Sequence, residues 1–247
     1  MRRKRQTGEP HELDLDTNKI RDGLNYYLYP ETDIKITEVD KVDEIFDSRR
    51  SAVSRTYLYR IICPCDKNAS NNTAMFHNDT AWVLKSGVLD IETMQIAANL
   101  LIGEHDFSSF RNSGCQSVSP MRFVSQLDIH QLRIPSSQHC QSSATLTPST
   151  IPASLRTHPF LPKPLSIPPS PSVDLLLNGS DIITVTITAN SFLLKMVRNI
   201  VGLLVEVGIG KLSLTEFETL FLLKNRSKLK QYSPAPAQGL YLQNVQY

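Results

Sequence analysis

The chain has 247 residues and a net charge of +2, from 26 basic and 24 acidic side chains. That length can bury a large core in one or two domains. The near-balance of charge excludes a polycation, so any nucleic-acid surface must be a local patch.

Met1 to Arg5 is a short basic run that reads as a solvated tail. No secretory apolar stretch follows it, and Glu9 and Glu12 interrupt the acid-poor pattern of a mitochondrial leader. Residues 11–17, HELDLDT, alternate weakly and predict a short strand. Asn18 to Tyr29 predicts a helix with Ile20, Leu24, Tyr27 and Leu28 on its apolar face, stopped by Pro30. Asp33 to Asp40 predicts a second strand centred on Ile34, Ile36 and Val39.

Val53 to Ile62 is a stronger strand, with Tyr57, Tyr59 and Ile61 alternating against Leu58, Arg60 and Ile62. An aromatic edge of this kind suits base stacking, and equally suits ordinary sheet packing. Pro64 to Thr73 is a loop. Thr80 to Leu84 reads as a strand extension or an irregular run and carries the sole tryptophan, Trp82. The cysteines, Cys63, Cys65, Cys115 and Cys140, are too scattered for a disulfide scaffold. Cys63 and Cys65 with His77 lack the second ligand pair of a zinc site, so no metal is expected.

Asp90 caps a helix running to Ile102, with Ile91, Met94, Ala97, Ala98 and Leu101 inward and Gly103 at its end. GEHDFSSFRNSG, from Gly103, predicts a polar loop anchored by Phe107 and Phe110. His105 and Asp106 have no nucleophile motif beside them, so His105 reads as structural. Ser119 to Gln131 is a strand with Arg122 near its start. Residues 134–172 hold nine of the fifteen prolines and predict an extended or disordered insertion. Its flanks, Phe123 to Leu132 and Val173 to Thr188, read as the two arms of a hairpin.

Ala189 to Gly210, ANSFLLKMVRNIVGLLVEVGIG, organises the rest. It predicts a helix from Ser191, as cap, to about Val207, ended by Gly208 and Gly210. It is apolar nearly all round and therefore buried, yet too short and too charged for a membrane span. Lys195, Arg198, Asn199, Gly202 and Glu206 share its one polar stripe. Arg198 falls mid-helix, where a guanidinium cannot shed its proton. It requires either an ion pair, with Glu206 or another acid, or a place at the floor of an anion-binding cleft. Gly202 permits close approach of a strand or ligand, or plain helix packing.

Ser213 and Glu216 form a capping box for another helix, with Phe217, Leu220, Phe221 and Leu223 inward. Lys224, Arg226, Lys228 and Lys230 form a basic cluster suited to phosphate or to a solvated helix end. Ser233 to Gln238 is a proline-marked loop, and Gly239 to Tyr247 a last strand. The pattern is mixed α/β with a largely antiparallel sheet.

VSRTYLYRI, GEHDFSSF, NSFLLKMVRNIVGLLVEVG and APAQGLYLQNVQY, in this order and spacing, resemble the TruA-type tRNA pseudouridine synthases, with closest likeness to the eukaryotic branch that includes mitochondrial enzymes. The resemblance covers Leu13 to Tyr247 apart from the insertion. It implies the pseudouridine synthase fold, a mixed, largely antiparallel sheet with packed helices. It implies isomerisation of uridine to pseudouridine in tRNA without metal or organic cofactor. The base leaves the stack, its bond to ribose C1′ is cleaved, the uracil turns and C5 takes up the sugar.

Tyr57 matches the pocket tyrosine near the target base, and Arg198 the arginine that pairs with the catalytic aspartate. Arg55 matches a basic position at the cleft rim, Phe192 and Asn199 the surrounding shell, and Gly239 with Leu240 the apolar wall. The implied partner is tRNA and not a membrane, in mitochondria or cytoplasm. Homodimers occur in the family, and the sequence alone does not require one here.

The family aspartate lies in an Arg-Thr-Asp-Ala-Gly-Val-His motif ahead of the strand that matches HELDLDT. This sequence holds no such motif, and Asp14 and Asp16 fall within or after that strand. The expectation is therefore an amino-terminal truncation lacking the first strand and the catalytic loop. Residues 1–48 would be the remnant of an amino-terminal subdomain, and 49–247 a carboxy-terminal one interrupted at 134–172. Such a chain is expected to be poorly stable and inactive; the alternatives are a catalytically inactive tRNA-binding module, as in a lineage-specific pseudoenzyme, or a truncated gene product.

Overall fold

A computed structural model describes residues 16–29, 34–64, 77–85, 88–134 and 180–247, divided into the units Met1–Ser51 and Ala52–Tyr247. In the first unit, helix α1 spans Thr17–Leu28. Asp16 opens it: one carboxylate oxygen accepts the amides of Asn18 and Lys19 at 3.1 and 3.4 Å. Asp16 is thus a helix cap and not the end of a strand; residues 11–15 of the expected strand lie outside the described residues. No residue of α1 is buried, and its expected apolar face leaves Leu24 and Tyr27 exposed.

The strand expected over Asp33 to Asp40 does not form in its described part. Asn25 takes the place of a partner strand. Its Nδ2 donates to Ile36 O and its Oδ1 accepts from Ile36 N, both at 2.8 Å. One amide side chain satisfies both polar groups of an extended residue, so no ladder is needed there.

The second unit runs β1 (Ser54–Pro64), β2 (Trp82–Val83), α2 (Ile91–Asn99), β3 (Gly103–Asp106), β4 (Met121–Ile134), β5 (Ser180–Ala189), α3 (Met196–Gly208), α4 (Leu214–Leu222) and β6 (Leu240–Gln246). The sheet order is β2-β1-β5-β4-β3, and β6 also pairs with β1. Among the described residues only β1 and β2 pair in parallel; the other four pairings are antiparallel. β5 covers one edge of β1 throughout, so β6 and β2 share the other, β6 beside residues 54–59 and β2 beside Ile61 and Ile62. β4 and β5 are the expected hairpin arms, paired from Val124↔Ala189 to Ile134↔Ser180 with one register shift between Val124 and Gln126. The segment between them, 135–179, lies outside the described residues. The result is the mixed, mainly antiparallel sheet with packed helices read from the sequence.

Alternation sorts the sheet into two faces. Tyr59, Ile61, Val124, Leu127, Ile129, Ile183, Val185 and Ile187 point to one side and are buried with α2, α3 and α4. Thr56, Thr184, Thr186 and Thr188 lie on the other, where the hydroxyls of Thr56 and Thr188 meet at 3.0 Å. Among the described residues no helix is long and apolar enough to cross a membrane.

Three further boundaries differ from expectation. GEHD is not loop: it forms edge strand β3 against Met121–Val124, and the polar stretch begins only after it. Gly103 opens that strand at φ +112 instead of closing α2, which ends at Asn99. β4 starts at Met121, two residues later than read. The capping box at Ser213 and Glu216 forms as its pattern predicts.

Candidate active site

The largest local departure concerns α3. Its helix begins at Met196, not Ser191, because Lys195 adopts the left-handed conformation at φ +61. No side chain caps this start. A left-handed residue turns the chain out of the helical path, so residues 190–195 form a separate loop. That loop is tied to its surroundings by its own backbone. Asn112 N donates to Leu194 O at 3.1 Å, Leu194 N reaches Cys115 Sγ at 3.5 Å, and Asn190 Oδ1 accepts from Ser191 N and Phe123 N. Burial would push the Cys115 thiol up, but the amides of Leu194 and Ser117 and the Arg111 side chain outweigh it and hold the thiol below its ordinary range.

The break places Arg198 in the first turn of α3 and not mid-helix. It stands half-buried. Arg198 Nε donates to Ala235 O at 2.6 Å, and Ala235 N donates back to Arg198 O at 2.9 Å. Gly202, one turn on, makes this approach possible. A Cβ there would stand 2.7 Å from Ser233 O and 3.2 Å from Ala235 N. Of the two uses read for Gly202, close approach of another chain segment is the one realised. Glu206 does not pair with Arg198; it meets Lys211 Nζ at 3.8 Å. None of the ion pairs among the described residues involves Arg198.

Tyr59, which the sequence pattern places on the same aromatic edge as Tyr57, joins this corner. Its ring is fully buried and its hydroxyl donates to Pro236 O at 2.6 Å. Burial drives its ionisation far above the ordinary phenol range, and the positive charge of Arg198 draws it partway back. Gly239 is required by that ring: a Cβ would stand 2.7 Å from Tyr59 Cζ and 2.8 Å from Arg60 O. Leu240 then begins β6 in register with Tyr59. The chain of contact runs from Arg198 through Ala235 and Pro236 to Tyr59 and Gly239. The sequence signal for Tyr59 was its parity with Tyr57 on β1.

Tyr57 lies on the same face of β1, two residues earlier. It is half-buried and packs edge-on against Phe192, ring centroids 5.0 Å apart at 89°. The β1–β6 pairing has a bulge between Thr56 and Tyr57, an irregularity that re-aims side chains. Arg55, two residues before Tyr57, reaches Asn190 O at 3.5 Å, beside the loop that carries Phe192. Asn199 turns elsewhere: its Nδ2 donates to Phe110 O at 2.6 Å, and it lines a cavity with Lys195, Asn112 and Arg226. Arg198 and Asn199 therefore leave the start of α3 in different directions. His105 is structural, its Nε2 at 2.9 Å from Ile102 O and its ring against Phe107 and Phe221.

Comparison with known proteins adds to this geometry. A profile of the family described as tRNA pseudouridine synthase matches residues 97–247. A curated relative named tRNA pseudouridine synthase A, from Maricaulis maris, is 31% identical over 234 residues, covering 95% of this chain and 71% of the relative. The protein of the same name from Buchnera aphidicola is 33% identical over 225 residues, covering 91% and 63% respectively. That from Afipia carboxidovorans is 29% identical over 245 residues, covering 97% and 76%.

Proposed function

The chain belongs to the tRNA pseudouridine synthase family, and from that premise we propose that the corner holding Arg198, Tyr57 and Phe192 receives a uridine of tRNA for isomerisation to pseudouridine. The observation that carries this is the setting of Arg198. The guanidinium sits in the first turn of a buried helix, held at Nε by a neutral carbonyl. A helix start is itself the positive end of the helix dipole. Two positive features at one point call for an anion, and an acid brought there is held ionised.

That is the electrostatic need of the family reaction. The bond between N1 and ribose C1′ breaks, a bond from C5 to the same carbon forms, and the proton on C5 is replaced, net, by one on N1. Arg198 orients the carboxylate that the family uses. The right-angled rings of Tyr57 and Phe192 offer apolar faces to the extruded base, for which stacking is worth about 1–3 kcal/mol. Leu240 and Gly239 wall the same end of the sheet. No step draws on a metal or an organic cofactor.

A second reading, tRNA retention without turnover, is favoured by one fact: among the described residues no carboxylate pairs with Arg198. An assay with tRNA labelled by tritium at uridine C5 separates the two. Tritium release that is lost in Arg198→Lys, with tRNA retention kept, supports the isomerase. Salt-sensitive retention with no release by the unaltered chain selects the binding module. Absence of retention overturns both.

A further inference from the structure

A basic double cavity lies beside this corner. One lobe, of about 200 Å³, is lined by Lys195, Asn199, Asn112 and Arg226 among others. The second, of about 450 Å³, is lined by Arg111, Lys224 and the same Asn112 and Arg226. Arg226 Nη2 donates to Asn112 Oδ1 at 2.5 Å, so this pair is a shared wall and the lobes are neighbours.

The two linings hold four cations, Arg111, Lys195, Lys224 and Arg226, and no aspartate or glutamate. The described bonds of the two arginines go to neutral oxygens, Arg226 to Asn112 and Arg111 to the carbonyls of Cys115 and Ser117. Lys224 has a carboxylate nearby, Asp106 at 3.9 Å, but that residue lines neither lobe. Concave walls of one sign concentrate the potential of the charges that line them.

Backbone conformation adds a separate observation. Among the described residues, the only non-glycine positions with positive φ are Lys195 at +61 and Lys224 at +50, one in each lobe. Glycine or asparagine would take that conformation with less strain. Lys195 is the residue that opens α3, and Lys224 lies just past the C-cap of α4, where a left-handed residue commonly ends a helix; both turns carry a long cation into the lobes.

We propose that these lobes form a phosphate tract that grips the RNA backbone next to the extruded uridine. Resting on the functional reading above, it adds a site of its own chemistry: phosphodiester oxygens accept from Lys195 and Lys224, and Arg226 braces the wall. The start of α3 then serves both tasks, Arg198 facing the reaction and Lys195 with Asn199 facing the strand.

The test is fluorescence anisotropy of the full chain with an unmodified tRNA transcript, over a range of salt. Lys195→Gln and Lys224→Gln together weaken binding about tenfold, and the slope of log affinity against log salt falls by about 0.7 to 0.9 for each phosphate no longer neutralised. Lys211→Gln, which removes an equal charge from the far end of α3, leaves the slope unchanged. Thermal melting confirms that each variant is folded. An unchanged slope in the double variant, or an equal loss in Lys211→Gln, overturns the tract while leaving the functional reading intact. Failure of the unaltered chain to bind the transcript overturns both.

Discussion

Helices α1 and α3 are nearly equal in length, 12 and 13 residues, and are held in opposite ways. α1 is fixed at its end by the Asp16 carboxylate and buries none of its residues. α3 has no side-chain cap and a left-handed lysine at its start, yet buries ten residues, from Met196 to Gly208. Local hydrogen bonding makes the first helix; surrounding packing makes the second and overrides an unfavourable start. The helix that carries Arg198 is the one whose position depends on distant parts of the chain, so the proposed site is as rigid as the core and no more local than it.

The sharpest break of this contrast is a pair of leucine truncations. Leu204→Ala, at a fully buried position of α3, is expected to cost about 3–5 kcal/mol in urea unfolding. Leu24→Ala on exposed α1 is expected to stay within about 0.5 kcal/mol. Equal losses would show that α1 is packed as tightly as α3.

Gly202→Ala comes next. Alanine favours a helix by about 1 kcal/mol over glycine, but its Cβ would stand 2.7 Å from the backbone oxygen of Ser233. Backbone cannot rotate away as a side chain can, so a net loss of about 2 kcal/mol is expected. A gain in stability would mean that the Ser233–Ala235 segment is not seated on the helix.

Lys195→Gly should act the other way, stabilising by about 1 kcal/mol through relief of the left-handed strain, while weakening tRNA binding. Calorimetry and binding on the same variant read both signs. Asp16→Ala should cost about 1 kcal/mol, seen as faster amide exchange along α1 with little change in the melting of the second unit.

The smallest effect separates caps from burial by pH. The Asp90 carboxyl, cap of α2, is held below its usual value of 3.8, chiefly by the hydroxyl and amide of Thr93. A depressed folded-state value means that the cap contributes fully above 3.8 and loses its contribution as pH falls through the lower folded value. The melting difference between wild type and Asp90→Asn should therefore shrink in acid, whereas that for Leu204→Ala should not.

The contrast also explains what could be read from residues alone. The caps at Asp90 and Ser213, the alternation on β1 and β5 and the hairpin arms were legible because each signal lies within a few residues. Tyr57 and Phe192 were named from family likeness, and their ring contact is a matter of tertiary placement. The start of α3 at Met196 differs from the expected Ser191 because nothing in FLLKMV announces a left-handed lysine. The reach of Tyr59 to Pro236 was invisible for a similar reason: its partner is a carbonyl 177 positions away. The strand expected at Ile36 failed because one asparagine, 11 residues back, supplied both bonds.

The β4–β5 hairpin carries one more consequence. The chain leaves it at Ile134 and rejoins at Ser180, while the Arg198 corner begins beyond Ala189, at the other end of the 10-residue strand β5. At about 3.4 Å per residue that is on the order of 30 Å of strand. Asp181, buried and bonded to Gln131 and Arg133, fastens the rung where the arms open. A fluorescent protein or an affinity handle spliced between those arms would therefore join the described sheet at the end of β5 remote from the proposed uridine corner.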